Sequence, residues 1–172
     1  PWYEEYNTCI KKVVIHYGVR TVGNYAFAAH PNLKSVTFAQ TVYSIGVGAF
    51  QNCTSLIEMY LPLSLSAIQA YAFAGCTVLE RIKLPEYLLG IGDYAFYGCA
   101  ALPKAKIAFQ VFTVGISAFD KCDSLAEICV DEKNKYYSSD AFGALYDKNK
   151  TSIYKMPSNA VSGHYVIPES VI

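Results

Sequence analysis

Four cysteines, Cys53, Cys76, Cys99 and Cys122, stand 23 residues apart, and His30 holds the same phase one interval earlier. Thiols and imidazoles bind zinc, form disulfides and act as nucleophiles, so chemistry is sought here first. A zinc site draws on ligands that converge from several directions, with close pairs such as C-x-x-C, and this spacing supplies none. No Ser-His-Asp or Cys-His constellation can be assembled, because the apparent nucleophiles share one periodic column. Cys9, Cys129, His16 and His164 lie outside that column. The stretch "DKNKTS" at 147–152 has the opening pattern of a calcium loop. Ser152 stands where such a loop needs Gly and Ser158 where it needs Glu, so a turn is the better reading. The expectation is a chain with no catalytic, metal or cofactor site, and not an enzyme.

The elements around the thiols explain their spacing. "YAFAAH", "GAFQNC", "YAFAGC", "YAFYGC" and "SAFDKC" place Phe27, Phe50, Phe73, Phe96 and Phe119 at the same 23-residue interval. Leu33, Leu56, Leu79, Leu102 and Leu125 form another column, which Ile10 heads. Val13, Val36, Met59, Ile82, Ala105 and Ile128 form the next, and Ile15, Phe38, Leu61, Leu84, Ile107 and Val130 follow. A unit this small cannot bury its own apolar side chains. Coils stacked on one another can, and like residues then form ladders through a continuous core. L-x-x-I-x-L alternates as a strand with one buried face, and V-x-x-I-G suggests a second, shorter strand. A-F-x-x-C is expected to be a single helical turn that drops a ring into the core. The thiols of stacked coils point in parallel, poorly placed for bridging, and are expected to form a buried, reduced ladder.

These units resemble the BspA-like leucine-rich repeats, whose hallmarks include A-F-x-x-C and L-x-x-I-x-L-P. The likeness covers positions 10 to 130. It implies a right-handed leucine-rich-repeat solenoid with a parallel β-sheet on its concave face and short strands and single helical turns elsewhere, a β-dominated α/β fold. It also implies a secreted or cell-surface microbial protein, of a kind often described as an adhesion or host-interaction module. The opening "PWYEEYNTCIKKVVI" is similar to the lead-in of such arrays. His30 departs from the pattern, Ala105 is undersized, and only Pro62 and Pro85 keep the strand-ending Pro.

Composition sets the outer limits. The 172 residues are 53% hydrophobic with zero formal net charge, which suits a cored domain and gives no global reason to bind nucleic acid. No apolar run is long enough to cross a membrane. The chain opens on Pro1, so a fragment or processed form is expected. Four regions are expected: a lead-in over 1–9, an array of about five repeats over 10–130, a non-repeat hairpin spacer or partial cap over 131–165, and the start of a further, truncated repeat over 166–172. Ala141-Phe142 falls in phase, but the Leu columns around it do not follow, so the match reads as accidental. "ALYDKNKTSIY" reads as a hairpin around a polar turn.

The outward face of the main sheet remains for function. Alternation assigns it three columns: Lys12, Ser35, Glu58, Arg81, Lys104 and Glu127; Val14, Thr37, Tyr60, Lys83, Lys106 and Cys129; and His16, Ala39, Pro62, Pro85, Ala108 and Asp131. Arg81, Lys83, Lys104 and Lys106 are expected to form a cationic square, with Glu58 and Glu127 offsetting part of the charge and Tyr60 beside it. Like charges on adjacent strands are unfavourable. A carboxylate, a sulfated sugar or an acidic peptide would relieve them. The expected partner is a host or microbial surface protein or glycan of anionic character, bound by a monomer. The alternative is a structural spacer or stalk between other domains, and fold alone does not choose.

Overall fold

Each repeat contributes two strands in the computed structural model, which describes residues 9–160 and 164–172. The lead-in expected over 1–9 therefore falls almost wholly outside the described residues. The long strands are β1 (Lys12–Ile15), β3 (Ser35–Phe38), β5 (Glu58–Tyr60), β7 (Arg81–Lys83), β9 (Lys104–Ile107) and β11 (Glu127–Val130). The short ones are β2 (Thr21–Val22), β4 (Ser44–Ile45), β6 (Ala67–Ile68), β8 (Gly90–Ile91) and β10 (Thr113–Val114). All pair in parallel, each residue beside its equivalent in the next coil. The result is a β-solenoid of about five coils.

The two faces of the coil differ in continuity. The short strands make one unbroken sheet, β10-β8-β6-β4-β2, whereas the long strands pair only in twos, β1-β3, β5-β7 and β9-β11. In β1, β9 and β11 burial alternates residue by residue, as a pleat with one inward face requires.

The core is the ladder that the period implied. Phe50, Phe73 and Phe96 are fully buried, and rings in neighbouring coils stack at 5.3–5.6 Å with interplanar angles of 4–12°. Aromatic pairs prefer such near-parallel, offset contacts at centroid distances of about 4.5–7 Å. Phe27, in the first described coil, is partly exposed, and His30 meets it edge-on at 6.2 Å.

The expected single helical turn at A-F-x-x-C is not there, and no helix forms among the described residues. Alternate amides of this segment point sideways. Tyr71, Phe73 and Gly75 donate to the carbonyls of Asp93, Ala95 and Tyr97 in the next coil, at 2.7–2.9 Å. The intervening amides of Ala72 and Ala74 close tight turns on Gln69 and Tyr71. A helix would need all of these donors for its own axis. Left-handed residues at both ends, Tyr71 (φ 58°) and Gly75 (φ 73°), also bar helical continuation. Coil-to-coil bonding outcompetes the local pattern.

After β11 the chain makes a three-stranded antiparallel sheet, β12 (Tyr137–Ser139), β13 (Leu145–Asp147) and β14 (Ile153–Lys155). The last two form the hairpin that the sequence implies. Its turn uses the Asp147 carboxylate, which accepts from Ser152 N at 2.6 Å and Thr151 Oγ1 at 2.9 Å. Phe142 is 40% exposed and packs edge-on to Tyr165, so its phase match with the Phe column has no counterpart in the core.

Asn134 joins this unit to the array. It is 1% exposed, and its amide nitrogen donates to Ala108 O at 2.8 Å and Val111 O at 2.9 Å. Its side-chain oxygen accepts from the backbone amides of Tyr136 and Tyr137, each at 2.8 Å. All four hydrogen bonds available to the amide are made, which is what makes its burial tolerable. Beyond it, the bond from Val171 N to Pro168 O repeats the turn that Leu88 N makes with Pro85 O in the array.

Candidate ligand-binding site

The thiol column is structural. Each buried sulfur reaches a carbonyl of the preceding coil: Cys53 to Phe27 O, Cys76 to Phe50 O, Cys99 to Phe73 O and Cys122 to Phe96 O, all at 3.1–3.2 Å. All six described cysteines are free. Burial pushes the Cys53 thiol up to about 11 and Cys122 to about 12. Cys76 and Cys99 are also raised, by burial first and then by neighbouring thiols. Protonated thiols can donate to these carbonyls, whereas nucleophilic chemistry would need thiolates. His30, at the head of the column, has Nδ1 at 2.9 Å from Ala28 O.

The long-strand face brings the expected surface residues together, but in two groups. β5 and β7 place Glu58 beside Arg81 and Tyr60 beside Lys83. Arg81 Nη2 lies 3.0 Å from Glu58 Oε2 and Nη1 lies 3.8 Å from Glu80. The Tyr60 hydroxyl donates to the same Glu58 oxygen at 3.1 Å. Arg81, Glu58 and Tyr60 thus form a small closed network at the rim. Of the four cations expected together, Arg81 is paired with carboxylates, and Lys83, Lys104 and Lys106 line a cleft.

A cleft of about 750 Å³ opens where β7 meets β9. Lys83, Lys104, Lys106 and Lys133 line it, together with Glu86, Glu127, Asp131, Phe109 and Cys129. The four lysines are exposed, and none makes an ion pair among the described residues. Glu127 stands beside Lys104 in register, yet the two are not within ion-pair distance. The lysines thus share one cleft with three carboxylates without closing an ion pair among the described residues.

The backbone bonds at the strand entrances differ between the joins. Glu80 N donates to Ile57 O and Ala126 N to Pro103 O, each at 2.9 Å, closing β5 onto β7 and β9 onto β11. At the β7–β9 join the equivalent donor belongs to Pro103, which has no N–H. The β3–β5 join is open as well, and no residue there accounts for it.

The third expected column is not an outward face. Pro62, Pro85 and Ala108 are buried; β5 and β7 end at Tyr60 and Lys83, before the two prolines, and β9 ends at Ile107, just before Ala108. His16 and Asp131, at its two ends, keep exposed or partly exposed positions. Sequence patterning also missed Phe109, Glu86 and Lys133 as cleft residues. Phe109 and Glu86 occupy a shared column just beyond the strands, and Lys133 follows β11. Pro103 at the entrance of a strand was the signal for a break.

The chain matches the family described as BspA type Leucine rich repeat region, in six copies over residues 3–86 and 44–162. A leucine-rich repeat protein from Eubacterium ventriosum is 29% identical with a TM-score of 0.88, over 99% of this chain and 45% of its own. One from Bacteroides ovatus is 33% identical with a TM-score of 0.63, over 70% of this chain and 33% of its own. A leucine rich cell surface protein from Faecalibacterium prausnitzii shares the fold at 22% identity and a TM-score of 0.53, over 94% of this chain and 58% of its own. This chain thus spans less than half of the E. ventriosum protein. No curated protein matches it.

Proposed function

The chain belongs to the BspA-type leucine-rich repeat family, and from that premise we propose that it is a non-catalytic binding module of a secreted or cell-surface microbial protein. Its ligand is an anionic group of a surface protein or glycan, seated in the cleft between β7 and β9. The observation that carries this reading is the set Lys83, Lys104, Lys106 and Lys133, which make no ion pair among the described residues and line one cleft of about 750 Å³. Ligand clefts commonly fall in the range of about 300–1,000 Å³. Ammonium groups gathered on neighbouring strands repel each other, and an anion between them replaces repulsion with charge-assisted hydrogen bonds. The likeness to a cell surface protein of the same fold favours surface display.

Calorimetry with acidic oligosaccharides and oligoglutamate, in low and moderate salt, tests the proposal. Binding is expected at low salt and weakens as salt rises, because exposed charges are screened beyond about 8 Å at physiological ionic strength. The Lys83→Glu/Lys106→Glu variant should fold normally and bind none of these anions. Absence of heat with every anion at low salt, or equal binding by the charge-reversed variant, would contradict the proposal and favour a structural spacer.

A further inference from the structure

Resting on that cleft reading, we infer that the bound group is a carboxylated sugar, one carboxylate on a polyol ring, and not a polyanion. The cleft is mixed in charge. Four lysines share its walls with Glu86, Glu127 and Asp131. A sulfated chain or an acidic peptide would bring several negative groups along the cleft and set some against these carboxylates. A neutral sugar would leave the lysines unanswered. A uronic-acid-type ring satisfies both signs at once.

The placement of each group fits that chemistry. Lys83 and Lys106 occupy one outward column on either side of the seam, and together they can hold a single carboxylate. Glu86 and Glu127 make no side-chain hydrogen bond among the described residues, so their oxygens can accept from sugar hydroxyls. Asp131 already accepts from the amide of Lys133 at 3.0 Å through Oδ1. Phe109, 36% exposed, offers the apolar platform on which the C–H face of a pyranose can lie. Polyanion recognition has no use for that ring or for those acids.

The test compares four probes by calorimetry and saturation-transfer NMR: a glucuronate-containing tetrasaccharide, the same sugar with its carboxyl reduced, a highly sulfated tetrasaccharide and oligoglutamate. The glucuronate sugar should bind best, and carboxyl reduction should weaken it about tenfold, as expected for loss of a charge-assisted hydrogen bond. Phe109→Ala should weaken the glucuronate sugar several-fold, roughly the effect of removing one stacking contact, and leave oligoglutamate unchanged. Glu86→Gln/Glu127→Gln should weaken the sugar and strengthen the sulfated probe. If the sulfated probe or oligoglutamate binds tighter than the glucuronate sugar, the sugar assignment is overturned while anion binding in the cleft stands. If none of the four binds, both fall.

Discussion

Arg81 and Glu58 face each other in register on β7 and β5, with Nη2 and Nε of the guanidinium 3.0 and 3.1 Å from one carboxylate oxygen. Tyr60 donates to that same oxygen. The strongest forked donor on the face is thus already occupied and stands outside the cleft. Arg81→Ala is expected to change anion affinity by less than about twofold, whereas Lys106→Ala should reduce it about tenfold, the scale of one charge-assisted hydrogen bond. The stability change should stay below about 1 kcal/mol, because the pair is exposed and screened. Calorimetry and thermal denaturation check this. A tenfold affinity loss with Arg81→Ala would return that residue to the site.

Phe73 lies between Phe50 and Phe96 at centroid distances of 5.6 and 5.3 Å and is fully buried. Phe73→Ala should cost about 3–5 kcal/mol, the usual range for an emptied aromatic core site. Stacked coils contact mainly their neighbours, so the loss should also loosen the flanking coils first. Thermal denaturation should show a midpoint several degrees lower. A midpoint unchanged within a degree would mean that the ring is not a core plug.

The thiol ladder should make stability fall in alkaline solution. Its folded pKa values, about 11 for Cys53 and about 12 for Cys122, exceed that of an ordinary thiol near 8.5. Below the unfolded value both states hold the proton, and the contribution is complete. As pH rises from about 9 through 12 the unfolded chain releases protons first, and stability falls. The thermal midpoint of the parent should therefore drop more steeply over this window than that of Cys53→Ala/Cys122→Ala. In the native protein at neutral pH, Cys9 and Cys129 should react quickly with a thiol reagent, and the four buried thiols slowly. Equal alkaline slopes for parent and variant would refute the buried ladder.

Asn134→Ala should destabilise the protein by about 3 kcal/mol. It removes four hydrogen bonds and leaves two carbonyls and two amides to find water in a closed space. Hydrogen exchange at the amides of Tyr136 and Tyr137 should accelerate in the variant. Unchanged exchange there would show that Asn134 is not the joint between the array and the unit after it.

Sequence alone gave away the features that repeat and concealed those that do not. The Phe and Cys columns were readable because every coil needs the same filling at the same place. The A-F-x-x-C segment misled because its local spacing suits a helical turn, while its alternate amides answer to carbonyls in the next coil. Pro62 and Pro85 looked like an outward column only if the strands continued, and they stop at Tyr60 and Lys83. Pro103 offers no N–H at the β7–β9 join, which matters only once Glu80 is known to hold the equivalent place in the stack. Lys133 follows β11, outside the three strand columns that alternation assigned to the outward face.

Amide chemical-shift mapping with a bound acidic oligosaccharide would locate an anion between β7 and β9. Saturable shifts should be confined to residues 82–86, 104–109 and 127–133, with the amides of β1 and β3 unmoved. Shifts clustered elsewhere on the solenoid, or saturable binding with no shift in these three segments, would contradict it.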